Sequence, residues 1–228
     1  MRVSVNDLLG QIAGLPGDWH GAGTVSEAVL ARIAAEVQKG AQSRVSLETG
    51  AGRATLLLSN MFERHYVFAL DEGGSLSRVR ESSAFRPENT IIVEGPTQLT
   101  LPATDLPDAL DFVLIDGPHG YPFSDLEYYH LYPRMRIGGL LVIDDIHIPS
   151  IRRMHDILAS DDMWKSVAIV GTTAFLRRTE APTTDPLGDE WWKQGYNMKA
   201  YNRRERFVRF KSSAIGRLIK RVLSPLRR

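Results

Sequence analysis

The 228-residue sequence contains no cysteine. This absence excludes disulfide bonds, thiolate metal ligands and a cysteine nucleophile, and it fits a reducing compartment. The sequence also lacks an apolar run of the roughly 20 residues that span a bilayer. Because no basic segment followed by an apolar core opens the chain, we expect no signal peptide and a cytoplasmic protein.

Charge is distributed unevenly along the chain. The composition, 43% hydrophobic and 24% charged, is that of an ordinary globular protein long enough for one large domain. The net charge is only +1, yet 11 of the 28 Lys/Arg residues and one of the 27 Asp/Glu residues lie in residues 199–228. An acidic body therefore precedes a basic tail.

Short apolar runs rich in β-branched residues alternate with segments that have helical spacing. The runs are RVSLE (44–48), HYVFALD (65–71), TIIVEG (90–95), DFVLID (111–116) and GGLLVIDD (138–145). Continuous apolar runs indicate strands buried on both faces, so we predict an α/β domain with a mostly parallel sheet. Two further runs, 164–170 and 174–179, predict a terminal β-hairpin.

Polar residues mark the predicted helix starts. Ser124 and Glu127 have the spacing of a capping box, and Ser150 is the predicted cap of the next helix. We divide the chain into an N-terminal helical cap (1–43), a central ligand-binding domain (44–180), and an irregular aromatic arm with a basic tail (181–228).

The first predicted strand leads into the sequence LETGAGRAT. Gly50 and Gly52, with Ala51 between them, form a turn that lets the backbone approach a ligand. The turn lacks the third glycine of a dinucleotide fingerprint, and Glu48 at the strand end would repel a pyrophosphate. A cationic ligand that carries a ribose fits better, because Asp71 at the end of the second run can accept hydrogen bonds from ribose hydroxyls.

Three carboxylates end the fourth and fifth runs. Asp116 follows one of them, and Asp144 and Asp145 follow the other. Because the carboxyl ends of parallel strands meet at one edge of a sheet, we expect the three side chains to converge. Oxygen ligands without sulfur suit Mg²⁺ or Mn²⁺, which would offset the mutual repulsion of the carboxylates. Alternatively, Asp144 binds backbone at the strand end and Asp145 caps the following segment.

Two histidines lie just beyond these strand ends. A neutral imidazole at His119 or His147 could remove a proton from a substrate hydroxyl, ligate the metal, or lie in an exposed loop. A third, His20 in GDWHGAG, lies in a loop that could close over the ligand.

The C-terminal part of the chain permits several interpretations. The aromatic side chains of the arm either pack on the body or form a substrate lid; they are Trp191, Trp192, Tyr196 and Tyr201. The basic tail forms a solvated helix, contacts a membrane surface peripherally, or pairs with the acidic body of another copy in a homo-oligomer. No nucleic-acid-reading motif accompanies it, which argues against a nucleic-acid partner.

Glu48, the glycine turn and Asp71 together resemble the first motifs of the class I S-adenosylmethionine-dependent methyltransferases, although Ala54 replaces the last glycine of the motif. The resemblance covers about residues 44–178. It implies a Rossmann-like, seven-stranded, mostly parallel sheet with helices on both faces and an antiparallel seventh strand. It also implies that S-adenosylmethionine is bound by Glu48, Gly50, Ala51, Gly52, Asp71 and Asp116.

The three aspartates are similar to those of the metal-dependent sugar O-methyltransferases of the macrocin type, and the DGPHGY segment also resembles relatives of cephalosporin hydroxylase. The resemblance implies a metal bound by Asp116, Asp144 and Asp145, and catalysis by Asp116 with His119 or His147 as base. The implied reaction is O-methylation of a hydroxyl on a small molecule or glycan. The alternatives are a hydroxylase-like enzyme and a non-catalytic binding protein on the same fold.

Overall fold

The computed structural model describes residues 4–19, 21, 24–40, 44–188 and 191–212, without the side chains of residues 191 and 207–212. The strands are β1 (Val45–Thr49), β2 (Arg64–Ala69), β3 (Thr90–Glu94), β4 (Leu110–Ile115), β5 (Met135–Ile143), β6 (Trp164–Val170) and β7 (Thr173–Arg178). They form one seven-stranded sheet in the order β3-β2-β1-β4-β5-β7-β6. The strands from β1 to β5 are parallel, whereas β7 is antiparallel to both β5 and β6. The predicted fold class and the terminal hairpin are therefore confirmed.

Helices cover both faces of this sheet. They are α1 (Val5–Ala13), α2 (Glu27–Lys39), α3 (Arg53–Met61), α4 (Ser75–Glu81), α5 (Thr97–Ala103), α6 (Phe123–Leu131), α7 (Pro149–Leu158) and α8 (Gly195–Ser212). Among the described residues, none of these helices is long and apolar enough to cross a membrane.

The apolar strands supply two cores, one on each face of the sheet. In β4, Phe112 and Leu114 pack with α1, α2 and α3, whereas Val113 and Ile115 pack with α6 and α7. All four side chains are buried, and full burial of each contributes about 1.5 to 3 kcal/mol. A strand buried on both faces has an apolar residue at every position, which explains the continuous runs in the sequence.

The segment before α2 is tied to the sheet edge. The guanidinium of Arg53, at the start of α3, donates to the carbonyl oxygens of Leu15 (3.0 Å) and Pro16 (2.7 Å). The amide of Gly21 donates to the carbonyl oxygen of Gly73 at 2.9 Å. The N-terminal segment therefore passes beside the loop that follows β2. His20, whose loop the sequence offers as one that could close over the ligand, lies outside the described residues.

Two helices begin before their predicted caps. Pro149 opens α7, because its fixed φ suits the first turn, so Ser150 lies inside the helix. Helix α6 begins at Phe123, and Ser124 is therefore buried in its first turn rather than capping it.

The predicted irregular arm is helical from Gly195 onward, in α8. Trp192 and Tyr201 are exposed, and the Tyr201 hydroxyl bonds Glu205 at 3.0 Å. Nothing in the structure describes residues 213–228, which include most of the predicted basic tail.

Candidate active site

The carboxyl ends of β1, β4 and β5 lie side by side. The amide of Asp116 donates to the carbonyl oxygen of Thr49 at 3.1 Å, and the amide of Asp144 donates to that of Ile115 at 3.0 Å. The residues that follow β4 and β5 are thereby held at one edge of the sheet, where ligands bind in open α/β folds.

A cleft of about 350 Å³ opens at this edge. Its walls come from the strand ends, from the loops that follow them and from the segment before α2. The lining residues are Thr24, Val25, Gly50, Ala51, Phe68, Ala69, Leu70, Glu72, Ser75, Gly95, Pro96, Thr97, Gln98, Asp116, Gly117, Pro118, His119, Asp144 and Asp145. The structure thus brings six of the predicted site residues to one cavity, namely Gly50, Ala51, Asp116, His119, Asp144 and Asp145.

Gly50 occupies a position that only glycine fits. Its φ is +102°, and its amide donates to the carbonyl oxygen of Phe68 at 2.9 Å. A Cβ on Gly50 would lie 2.5 Å from the carbonyl oxygen of Asp116. The backbone of the turn therefore passes directly against the end of β4 and forms part of the cleft wall. Gly52 instead caps the N-terminus of α3, and its amide donates to the hydroxyl of Thr55 at 2.9 Å.

The cleft contains a cluster of three side chains that could bind a metal ion, namely Asp116, His119 and Asp145. One side-chain donor atom from each of the three lies within 4.8 Å of the others. His119 Nε2 lies 3.0 Å from Asp145 Oδ2, and the His119 carbonyl accepts a hydrogen bond from Ser150 Oγ at 2.6 Å. Asp145 has a φ of +55°, a left-handed conformation that aspartate adopts more readily than most residues.

The cluster is electrostatically strained. Burial raises the pKa of Asp116 well above its ordinary value, and the negative charges of Asp144, Glu48, Asp145 and Glu127 raise it further. A bound cation would relieve this repulsion. Donor atoms bound to one divalent ion lie no more than about 4 to 5 Å apart, so two carboxylates and an imidazole at this spacing fit such an ion.

Asp144 lies in the same cleft but has a different partner. Its side chain is buried, and its Oδ1 accepts a hydrogen bond from Thr173 Oγ1 at 2.5 Å. We predicted Asp144 as a metal ligand together with Asp116 and Asp145. The structure engages one of its oxygens with β7 and places His119, rather than Asp144, in the three-residue cluster.

Two predicted cofactor ligands have other partners. Glu48 is buried, and its Oε1 lies 3.1 Å from Nε2 of His65, whose Nδ1 shares a hydrogen bond with Ser46 Oγ at 2.8 Å. Asp71 is exposed and accepts hydrogen bonds from the amide and the hydroxyl of Ser77, which lower its pKa. Neither side chain is among the described residues that line the cleft.

His147, the second predicted base, is exposed. Its Nδ1 lies 3.4 Å from Asp145 Oδ1, but the ring lines a neighbouring groove rather than the cleft. His119 is therefore the predicted histidine that the structure places at the cleft wall.

Sequence reasoning did not assign Glu72 or Glu127 to the site. Glu72 follows β2 and lines the cleft, directly beside the residue that we singled out. Glu127 is buried in α6 behind the cleft, and its carboxylate accepts hydrogen bonds from Thr49 Oγ1 (2.8 Å) and Thr97 Oγ1 (2.7 Å). Burial raises its pKa to about 7. The sequence did contain a signal for the burial of Glu127. It lies four residues before the apolar Leu131, and residues at this spacing share one face of a helix.

Comparison with known proteins agrees with this architecture. Residues 47–146 match a family model described as "Methyltransferase domain". No curated protein matches the chain.

Solved structures share the fold at low sequence identity. The O-methyltransferase TomG from Streptomyces achromogenes, in complex with SAM, is 19% identical with a TM-score of 0.54, over 77% of this chain and 89% of TomG. An O-methyltransferase from Bacillus cereus in complex with SAH is 16% identical with a TM-score of 0.53, over 77% of this chain and 90% of that one. MycE, in complex with Mg and SAH, is 16% identical with a TM-score of 0.51, over 81% of this chain and 58% of MycE.

The sheet order, with a ligand cleft at the carboxyl ends of its parallel strands, defines a class I methyltransferase fold. Residues 47–146, which lie within this fold, match the methyltransferase domain. The predicted resemblance to the class I methyltransferases is thus confirmed at the level of the fold and of the matched domain. The narrower likeness to the macrocin type stays a prediction.

Proposed function

We propose that the protein transfers the methyl group of S-adenosylmethionine to a hydroxyl oxygen of a small molecule or glycan. One observation carries this proposal. The cluster of Asp116, His119 and Asp145 lines the same cleft as the Gly50 turn, so a proton acceptor and a backbone suited to the cofactor share one cavity. The O-methyltransferase names of TomG and of the Bacillus cereus protein support oxygen as the acceptor atom.

S-adenosylmethionine supplies an electrophilic methyl group on a sulfonium centre, so the protein has to hold two reactants in line and accept one proton. Gly50 and Ala51 present backbone to the cofactor. Glu72 takes the role that we first assigned to Asp71, because it is the carboxylate after β2 that lines the cleft. Its oxygens can accept hydrogen bonds from two ribose hydroxyls.

The three-residue cluster acts on the acceptor. Asp145 Oδ2 orients the imidazole of His119, whose exposed side chain reaches the cleft. A divalent metal held by Asp116, His119 and Asp145 would supply Lewis acidity toward the acceptor hydroxyl, and the Mg of MycE supports that option. Non-haem iron oxygenases use two histidines and one carboxylate, whereas this cluster has one histidine and two carboxylates. The donor set therefore favours methyl transfer over hydroxylation.

The first test is calorimetry with S-adenosylhomocysteine, followed by a screen in which radiolabelled S-adenosylmethionine is offered with panels of sugars, phenols and glycosylated small molecules. We expect binding in the micromolar range and label transfer to a hydroxyl-bearing compound. An absence of binding at millimolar cofactor would overturn the proposal.

Replacing Glu72 with glutamine is expected to weaken S-adenosylhomocysteine binding by about tenfold or more, because a hydrogen bond to a charged group contributes about 1.5 to 3 kcal/mol. The matched control is Asp71→Asn, which removes a neighbouring carboxylate that bonds Ser77 instead. Its affinity should stay close to that of the wild type. Equal losses in the two variants, measured by calorimetry, would contradict the assignment of Glu72.

Replacing His119 with glutamine is expected to weaken Mn²⁺ binding by about tenfold, while Asp144→Asn has a smaller effect. The reason is that His119 belongs to the three-atom cluster, whereas Oδ1 of Asp144 is engaged by Thr173. Mn²⁺ affinity is measured by electron paramagnetic resonance, and a loss of about tenfold is typical of a changed metal site. If Asp144→Asn has the larger effect, the original assignment of Asp116, Asp144 and Asp145 is the better one.

A further inference from the structure

A second concavity lies next to the active-site cleft, between α7 and α8. This groove has a volume of about 770 Å³, within the range of small-molecule sites. His147 connects the two cavities, because its ring lines the groove while its Nδ1 lies 3.4 Å from Asp145 of the cluster. A molecule that reaches from the cluster past His147 therefore enters the groove.

Basic side chains from both helices line this groove. Arg152 and Arg153 come from α7, and Lys199 and Arg203 come from α8. The acidic residue in the lining is Asp156, and its Oδ1 lies 3.0 Å from Nε of Arg152. The groove is thus strongly positive, although residues 1–198 contain 26 of the chain's 27 Asp/Glu residues.

The four basic side chains differ in how far acceptor groups of the protein already neutralise their charge. Lys199 Nζ donates to the carbonyl oxygen of Ser160 at 2.6 Å and lies 3.4 Å from Asp162 Oδ1. The guanidinium of Arg153 instead lies over the ring of Tyr121, 5.9 Å from its centroid. Within the part of the chain that the structure describes, neither Arg153 nor Arg203 forms a salt bridge. Arg153 also interacts electrostatically with the Asp125 carboxylate, but both arginines are exposed on facing helices, where their guanidinium groups can contact an anion.

We propose that this groove binds a phosphate or diphosphate group of the methyl acceptor while the acceptor's hydroxyl lies at Asp116, His119 and Asp145. Guanidinium groups pair with phosphate oxygens through two parallel hydrogen bonds, which suits a pair of arginines from opposite walls. Several cations in one groove match a group of charge −2 or more better than a single carboxylate. Apolar lining residues such as Ile146 and Ile157 contact the carbon part of the acceptor.

This inference rests on the proposed function and narrows its substrate class from any hydroxyl compound to a phosphorylated one. The phosphate can belong to a soluble acceptor or to a lipid, and the groove chemistry is the same for both. A membrane-borne acceptor would agree with the apolar and basic residues in the sequence of the C-terminal tail.

The test uses the full-length protein, inorganic diphosphate as the probe and the double variant Arg153→Gln/Arg203→Gln. The matched control is Arg78→Gln/Arg80→Gln, which removes the same charge from exposed side chains of α4. By calorimetry at low salt, we expect the groove variant to weaken diphosphate binding by at least about tenfold and the control by less than about twofold. S-adenosylhomocysteine affinity should be unchanged in both variants.

A second arm measures sedimentation with vesicles of phosphatidylcholine, with and without phosphatidic acid. If the groove variant loses binding to the acidic vesicles as well, the phosphate is lipid-borne; if it loses only diphosphate binding, the acceptor is soluble. Diphosphate and vesicle binding that are undetectable, or equal in the groove variant and the control, would overturn the inference. Retained S-adenosylhomocysteine binding would show in that case that the methyltransferase assignment still stands.

Discussion

Replacing Asp145 with asparagine is expected to lower the rate of methyl transfer by at least about a hundredfold, the lower end of what a positioned acid–base group contributes. The Asp145 carboxylate lies close to both candidate histidines. Its Oδ2 lies 3.0 Å from Nε2 of His119, and its Oδ1 lies 3.4 Å from Nδ1 of His147. Asparagine preserves the shape of the side chain but removes its negative charge and one acceptor oxygen. The imidazole of His119 then loses its orienting partner, and a divalent cation held by the cluster would lose a ligand.

Cofactor binding should survive this substitution. The glycine turn at Gly50 and the carboxylate of Glu72 lie on the loops after β1 and β2, on the other side of the cleft from β5. We therefore expect S-adenosylhomocysteine affinity within about twofold of the wild type, because the substitution leaves these proposed cofactor contacts in place. Single-turnover transfer of labelled methyl to the acceptor found in the screen gives the rate, and calorimetry gives the affinity.

The control for this experiment is Asp108→Asn. Asp108 is a fully exposed carboxylate before β4, and its nearest ion-pair contact is Arg134 at 3.6 Å. Wild-type activity in the Asp145 variant would exclude that residue from the chemistry. A parallel loss of rate and cofactor affinity would instead make Asp145 a part of the cofactor site.

The fold could be predicted because the strands of a parallel sheet are covered on both faces. Phe112, Val113, Leu114 and Ile115 are buried on alternate sides, so their apolar character is continuous and visible without any partner. The ends of the strands were harder to predict from the sequence. Strand β5 begins at Met135, earlier than the predicted start at 138, because Met135 pairs with Leu110 before a register shift in the β4–β5 ladder.

A site residue could be predicted only where its position after a strand is enough to place its side chain in the cleft. Asp116 and Asp145 are such residues, because Asp116 directly follows β4 and Asp145 is the second residue after β5, at the carboxyl ends of two central strands. Glu48 depends on a neighbouring strand, since the register pairs Ser46 with His65 and places the imidazole against the Glu48 carboxylate. Asp71 depends on where β2 stops. The strand ends at Ala69, so the acid lies in the following turn and bonds Ser77.

Glu127 is a buried carboxylate that connects two elements at the cleft. Its two threonine partners lie on different elements, Thr49 at the end of β1 and Thr97 at the start of α5. Thr49 Oγ1 also accepts a hydrogen bond from the amide of Asp116 at 3.1 Å. The carboxylate packs so closely on Gly117 that a Cβ there would overlap its Oε1. Glu127 thus holds together the strand ends that carry the cleft.

Glu127→Gln is expected to stabilise the metal-free protein at alkaline pH and to change its stability little near pH 5. Burial raises the pKa of Glu127 from 4.5 to about 7, so the folded protein binds a proton between these values that the unfolded chain has released. The stability of the wild type therefore falls as pH rises through this window. The total loss is about 3 kcal/mol, because each pKa unit corresponds to about 1.4 kcal/mol. Glutamine is neutral throughout and avoids that loss.

The measurement is urea unfolding of both proteins in EDTA at about pH 5 and about pH 8. This range spans the titration of Glu127, whose pKa is raised. Asp116 titrates in both proteins, so the difference between them reports Glu127 together with its charge interaction with Asp116. Glu81→Gln, on the exposed face of α4, is the control. The difference in unfolding free energy between this variant and the wild type should be the same at both pH values. A difference that is constant with pH would mean that Glu127 titrates alike in the folded and unfolded chains. In that case its hydrogen bonds to Thr49 and Thr97 would fully offset its burial, and the carboxylate would hold the sheet edge without a pH-dependent cost to stability.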